Sequence, residues 1–564
     1  MKVPVLAHLS QPAALPLALG MVFAAASLTP SLVPREWALL GLLAGLVLAI
    51  GYMLGRLVQT LWRAVEFPEA RGTWLFVFRV AIFVPALVLL VHNLLRVTDW
   101  QNSVRAHVGM EPAEDVTMAG IVLLMAGVFT VLYLLGFVIQ WLFDRLRFRL
   151  YRYMAPRAAG TLGLVLLVGI AFIVSRDWVL PAVLQGLDNT YETAQNLFDT
   201  APPPPGNGRV PGGPGSLVSW EKMGQPGRNF VTRAPSAAEI STFTGRPATD
   251  PIRVYVGRSQ DDSAEARAEL ALQELKRLNA FDRKILVVAS PTGTGWLDPG
   301  GHDTLEFMHD GDIATVAVQY SYMQSPMALI FETRTGLDQA TATMRTIYRH
   351  WRSLPQDGRP RLYMHGLSLG AWSSMYAFDI FQMINEPISG ALWTGSPFPS
   401  YLWGRVTAAR NDGSPYVLPK VEEGEVIRFA SQYVTPKEQG ETWGRMRIAF
   451  LQYASDAIVF FDPNSFWRPP VWMREPLAPD VSPELRFMPV VTQLQLGLDM
   501  LLATHVPDGF GHNYAAGDYI EAWAAVSQPE AWNAKKAMAL KTLCEGVPGA
   551  GCSLSAALKA AEGK

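Results

Sequence analysis

The chain has 564 residues, of which 50% are hydrophobic and only 17% charged, against about 25% charged in soluble domains. Its 47 Lys and Arg nearly balance 49 Asp and Glu, and a net charge of −2 leaves no electrostatic footprint for a nucleic-acid partner. Two cysteines exclude a disulfide framework, an iron–sulfur cluster or a cysteine-rich zinc module, and the apolar fraction excludes a disordered chain. A membrane protein, a large enzyme, or both in one chain remains.

Five apolar stretches precede residue 180, roughly Ala13–Leu28, Trp37–Leu57, Trp74–Leu95, Met118–Trp141 and Ala158–Ile173. Each meets or approaches the ~20 residues needed to cross a bilayer core. Gly41/Gly45 and Gly51/Gly55, four apart, let helix backbones approach, and Arg79 is read as snorkelling to the interface. With all five spanning, Lys2, Arg56, Arg63, Arg71, Arg145, Arg147, Arg149, Arg152 and Arg157 fall on one side and Arg35, Arg96, Arg105 and Arg176 on the other. The richer side is cytoplasmic by the positive-inside rule, so the rest of the chain is expected outside a multi-pass cytoplasmic membrane protein. The first stretch is alternatively a cleaved signal, with Ala24-Ala25-Ala26 near the cleavage site, which leaves that orientation unchanged. Cys544 and Cys552, eight apart in a Gly/Pro-rich turn, either close a small disulfide there or stay as thiols.

Pro202–Pro205 and the glycines and prolines up to Gly215 predict a semi-rigid spacer without helix or strand. The expected division is therefore a helical membrane domain over 1–178, a juxtamembrane segment and linker over 179–249, a catalytic domain over 250–530 and a C-terminal tail over 531–564. Within 250–530, strand candidates are Ile252–Val256, Lys284–Ala289, Ala314–Tyr320, Arg361–His365, Gly390–Thr394 and Arg447–Tyr453. Helical patterns such as Ser263–Asn279 and Leu337–Arg352 lie between them. Alternation of this kind predicts an α/β fold with a mostly parallel sheet covered by helices on both faces. Ser400–Thr442 lacks strong periodicity. The Trp- and Pro-rich run from Trp467 to Pro479 reads either as a lid or acyl pocket or as a self-packed surface loop.

The sharpest chemical signal is His365-Gly366-Leu367-Ser368-Leu369-Gly370-Ala371, where an apolar strand runs through Gly-x-Ser-x-Gly into a helical pattern. A serine on such a tight turn projects its Oγ above the sheet, and Gly366 and Gly370 make room for the neighbouring strand and helix. Elbows of this type take their acid and then their histidine from later in the chain. Arg447–Tyr453 leads into Asp456, which otherwise reads as a turn or helix cap. Of the downstream histidines, His512 in a glycine-flanked loop is preferred over His505, which reads as a helix cap. An oxyanion needs preorganised donors: the Leu369 N–H, and the loop Ser290–Trp296 with Thr292, Gly293 and Thr294. That loop lacks the ending of a phosphate-binding P-loop. His302 and Asp303 have no partner spacing for a metal, and no metal or cofactor is expected.

With these parts in order, the chain resembles an α/β-hydrolase. More narrowly, it is similar to bacterial membrane proteins that join an N-terminal multi-helix membrane domain to a C-terminal α/β-hydrolase domain. The match is carried by Ser290–Trp296, His365–Ala371, Gly395–Pro397, Leu451–Asp456, Pro489–Thr492 and Gly511–Tyr514. The resemblance implies a serine hydrolase with a Ser368–Asp456–His512 triad. The expectation is a membrane-anchored esterase or lipase-like enzyme acting on an acyl ester, lipid-like because the anchor holds the site near the bilayer. Two rivals are an acyltransferase using the same triad on a cell-envelope lipid or sugar, and an inactive hydrolase-fold receptor or scaffold.

Overall fold

A computed structural model describes residues 14–68, 72–114, 116–150, 203–322 and 333–545, with isolated positions between 153 and 177, residue 547 and residues 551–553. The chain divides into two compact units, Met1–Gly186 with Asp462–Asp499, and Leu187–Phe461 with Met500–Lys564.

The first unit contains helices α1 (Ala14–Ser27), α2 (Trp37–Ala64), α3 (Gly72–His107) and α4 (Met118–Leu150). Helices α2, α3 and α4 are long and apolar enough to cross a membrane. Five spanning helices were expected. The 14 residues of α1 rise only about 21 Å, short of a ~30 Å hydrocarbon core, and Ala158–Ile173, isolated positions aside, lies outside the described residues. Small residues let the helices approach. A Cβ on Gly45 would lie 2.7 Å from Val128 Cβ on α4, and one on Gly55 2.5 Å from Pro16 Cα on α1. Ala18, Ala24 and Ala25 of α1 and Leu40 and Ala44 of α2 form the core with Leu90 and Ile121. Arg79 is exposed on α3.

Asp462–Asp499, the segment containing the Trp- and Pro-rich run, belongs to this helical unit. Trp472, Val481, Leu485 and Leu496 are buried. The Asp499 carboxylate accepts hydrogen bonds from Ser31 Oγ (3.0 Å) and Leu32 N–H (3.0 Å) and forms a buried ion pair with Arg35 at 2.9 Å. Of the run itself, Trp472 is buried while Trp467 is 64% exposed, and further along the segment the Asp499 carboxylate ties it to the loop between α1 and α2.

In the second unit seven strands form one parallel sheet in the order β1-β3-β2-β4-β5-β7-β6. They are β1 (Ile252–Val256), β2 (Ile285–Ser290), β3 (Ile313–Val318), β4 (Arg361–Leu367), β5 (Gly390–Thr394), β6 (Ile427–Ala430) and β7 (Arg447–Leu451). All six expected strands are present. The edge strand β6 was missed because four residues inside an aperiodic stretch carry too little pattern. Every residue of β1, β2, β3 and β5 is buried, as a sheet covered on both faces requires. The helices used below are α5 (Ala264–Arg277), α6 (Pro299–Met308), α7 (Thr333–Ser353), α8 (Leu369–Ala377), α9 (Ala516–Ser527) and α10 (Ala534–Glu545).

This unit begins before residue 250 and continues past 530, unlike the expected division. The described part of the Pro/Gly segment is folded rather than extended. Glu274 on α5 accepts from Ser216 Oγ (2.7 Å) and Leu217 N–H (3.0 Å), Arg277 donates to the Gly208 carbonyl (2.6 Å), and Val218, Trp220 and Met223 are buried. Four apolar anchors so close behind the prolines, counting Phe230, outweigh the stiffness of a spacer. The described part of the tail is equally integrated: Cys544 is bonded to Cys552, and the Cys552 N–H donates to Asp303 Oδ2 at 2.8 Å.

Candidate active site

Parallel strands present their C-terminal ends on one edge of a sheet, where such folds place their chemistry. Ser368 follows β4 there, Asp456 follows β7, the loop with Thr292 follows β2 and Gly395 follows β5. Ser290 of β2 is in register with Gly366 of β4, so the serine turn and that loop start level with each other.

Ser368 has φ 57° and ψ −128° and is the last residue before α8. A non-glycine residue holds such a backbone only where its surroundings over-determine it. The flanking glycines supply that condition. A Cβ on Gly366 would sit 2.3 Å from the Gly370 carbonyl carbon, and one on Gly370 would sit 2.1 Å from the Ser290 carbonyl oxygen. Ser368 is 2% exposed, and its Oγ has no hydrogen-bond partner among the described residues. The N–H of Leu369, first residue of α8, is one of the helix-start donors that no intrahelical carbonyl can reach.

Asp456 is fully buried and divides its two oxygens between two tasks. Oδ1 caps a short helix by accepting from the Ile458 N–H at 2.9 Å. Oδ2 faces His512 Nδ1 at 2.7 Å and accepts from the Tyr514 hydroxyl at 2.8 Å. Cap and histidine partner, weighed as alternatives from the sequence, are both true of this residue. Burial, reinforced by the Asp456 charge, pushes the Tyr514 phenol well above its ordinary range, so it stays a donor. A carboxylate beside Nδ1 fixes the tautomer with its proton on Nδ1 and leaves Nε2 as an acceptor. His512 is 8% exposed, and Nε2 has no partner among the described residues. His505 is exposed, three residues beyond the end of the helix Val491–Leu502.

Ser368 and His512 line one cavity of about 860 Å³ together with Thr292, Thr294, Trp296 and Leu367, within the range of small-molecule sites. The β2 loop is turned in on itself: Thr292 N–H donates to the Trp296 carbonyl (3.0 Å) and Gly295 N–H to the Thr292 carbonyl (2.9 Å). Thr292 therefore leaves the set of expected backbone donors, because its N–H is already used. Gly293 is buried between the two cavity-lining threonines.

Further residues have roles at the site that the sequence does not announce. Gly395 (φ 54°) supports His512 directly, since a Cβ there would lie 2.7 Å from the imidazole Cε1. In the sequence it shows as a glycine closing a buried strand and as the first residue of the Gly395–Pro397 match. Tyr514 is two residues from the histidine. Asp298 lines the cavity, accepting from Gly300 N–H (3.0 Å) and Tyr519 OH (3.0 Å). Burial pushes its carboxyl up to about 7 against the pull of those two donors. Lys541, Cys544 and Glu545 bring the supposed tail into the cavity wall. His302 and Asp303, weighed as metal ligands, are instead buried; Asp303 and Glu306 hold Arg253 at 2.6 and 2.8 Å. Among the described residues no group of three His, Cys, Asp or Glu side chains is arranged to hold a metal ion.

Residues 252–540 match the model of a family described as the alpha/beta-hydrolase family, and residues 28–235 match the model of that family's N-terminus. No curated protein matches the chain. A solved structure from work on two metagenome-derived lipolytic enzymes, LipS and LipT, is 15% identical over 31% of this chain and 85% of its own, with a TM-score of 0.16. A likeness that distant carries no argument, but the family match spans half the chain and the whole sheet with its serine turn. The chain belongs to the alpha/beta-hydrolase family.

Proposed function

We propose that the protein is a membrane-anchored serine hydrolase that cleaves acyl esters on the extracytoplasmic side of the cytoplasmic membrane. One observation carries the reading: a buried Asp456–His512 pair at 2.7 Å whose free Nε2 shares a cavity with an equally buried, unpartnered Ser368 Oγ. Ser368 Oγ attacks the ester carbonyl while His512 Nε2 takes its proton. The oxyanion is met by the Leu369 N–H and by donors of the Gly293–Thr294 turn. Collapse of the tetrahedral intermediate breaks the carbon–oxygen bond, and His512 returns the proton to the leaving alcohol. Water, deprotonated by the same imidazole, then releases the acid. Asp456 keeps the imidazole oriented and stabilises its cation, and Tyr514 and Ile458 N–H hold Asp456.

The outer placement is supported by the distribution of Lys and Arg about the helices. Arg35, on the arginine-poor side, is also the residue gripped by Asp499. The Cys544–Cys552 bond fits an oxidising compartment. The test is turnover of p-nitrophenyl acyl esters of increasing chain length by the detergent-solubilised protein. Ser368→Ala is expected to lower kcat by about 10⁴–10⁶-fold; equal turnover by wild type and variant would remove the serine from the mechanism.

A further inference from the structure

The cavity that holds Ser368 and His512 has a wall of one electrostatic sign. Its charged side chains, His512 aside, are Asp298, Asp508, Asp518 and Glu545 against Lys541 alone. Lys541 lies 4.0 Å from Glu545, four residues on along α10, and also acts on Asp518, so this single cation offsets about one of the four carboxylates. Asp298, Asp508 and Asp518 are drawn from the start of α6, the histidine loop and α9. The two deeper ones are held by uncharged donors. The buried Tyr519 hydroxyl and the Gly300 N–H bond Asp298, and the buried Tyr453 hydroxyl bonds Asp518. Neutral donors orient a carboxylate without cancelling its field, whereas in this same unit Asp303 and Glu306 both sit against Arg253. The same cavity is lined by Ser368 and His512, whose buried Oγ and Nε2 have no partner among the described residues and mark it as the place a reacting ester must enter.

We infer that Asp298, Asp518 and Asp508 select the substrate by charge, favouring esters that carry an ammonium group and rejecting those that carry a carboxylate or phosphate. This rests on the hydrolase reading above and narrows its substrate: the acyl ester is cationic, and an anionic phospholipid is a poor fit. A cation entering a concave wall of fixed negative charge is drawn in, and an anion pays both repulsion and desolvation.

The test uses three p-nitrophenyl methylphosphonates that phosphonylate an activated serine with loss of p-nitrophenolate. Their remaining alkoxy group is 2-(trimethylammonio)ethyl, its neutral isostere 3,3-dimethylbutyl, or 2-carboxylatoethyl. Second-order inactivation rates of the full-length protein in neutral detergent are compared at pH 8, above the value of about 7 to which burial raises Asp298. The expected order is cationic, neutral, anionic, with about tenfold or more between the ends at low salt, shrinking in 0.5 M NaCl as screening takes hold. In Asp298→Asn, which keeps the size and capping ability of the side chain, the cationic-to-neutral ratio should fall toward one. The milder rim variant Asp508→Asn should lower it by less. Equal rates for the three compounds in wild type, with labelling of Ser368 intact, would overturn the charge selection and leave the hydrolase standing. Reaction with none of them would take both away.

Discussion

Gly395 carries no reactive group, yet it decides where His512 can sit. Adding one methyl there places a carbon 2.7 Å from the imidazole, so the ring must move. Displacements of about 1 Å at a reacting group cost on the order of 10²-fold in rate. Gly395→Ala is accordingly expected to lower kcat by about that factor with KM little changed, measured by steady-state ester hydrolysis. Tyr514→Phe deletes one of three donors to Asp456. Loss of a hydrogen bond to a charged group is worth roughly 1.5–3 kcal/mol, and a share of it reaches the transition state. The expected outcome is a kcat lower by about tenfold in the same assay, with the serine still open to phosphonylation. Neither role is written in the residue type. Ser368, Asp456 and His512 were legible because strand, turn and chain order announce them, whereas a glycine that yields space to a side chain 117 positions later is visible only when the chain is folded.

Among the elements, the segment Asp462–Asp499 departs furthest from its sequence reading. Its tryptophans and prolines advertise an insertion but not which surface takes it up, since packing partners distant in sequence leave no periodicity. The partner is the loop before α2, and the joint is the fully buried Arg35–Asp499 pair. Removing one member of a buried ion pair leaves the other uncompensated and costs about 3–5 kcal/mol. Asp499→Ala should therefore lower the stability of the helical unit by about that much, read from the denaturation midpoint in detergent. A change below ~1 kcal/mol would mean that the pair is not buried in the native state. The C-terminal helix α10 makes a similar point. Its mixed Ala, Lys and Leu composition looked like a loose tail, whereas its cystine and Lys541 form part of the cavity wall.

At the scale of the whole molecule, composition alone separated an apolar, charge-poor N-terminal third from an α/β remainder, because hydropathy and strand–helix alternation are local properties. The chain's crossing from one unit into the other at Asp462 and back after Asp499 is a tertiary property and left no such trace. Burial also sets how the catalytic unit responds to acid. His309 is 8% exposed and bonded to Ser527 at 2.8 Å. Burial first, then the charges of Arg361, Lys284 and Arg246, lower its imidazole to about 3. The native state keeps it neutral, while the unfolded chain binds a proton below about pH 6.5. Its stabilising effect is thus complete above pH 6.5 and is lost as pH falls from there toward 3. His309→Gln should flatten the fall of stability between pH 6 and 4 by about 1.4 kcal/mol per pH unit relative to wild type, measured by urea denaturation in detergent. Parallel slopes would show that the native protein protonates this ring.

The central claim, an activated serine on the outer face of the membrane, is tested most directly by labelling intact cells with a membrane-impermeant fluorophosphonate. Wild type is expected to label before lysis, and Ser368→Ala and His512→Ala not at all. Labelling that appears only after lysis would contradict the outer placement, and an unlabelled but folded wild type would contradict the activated serine itself.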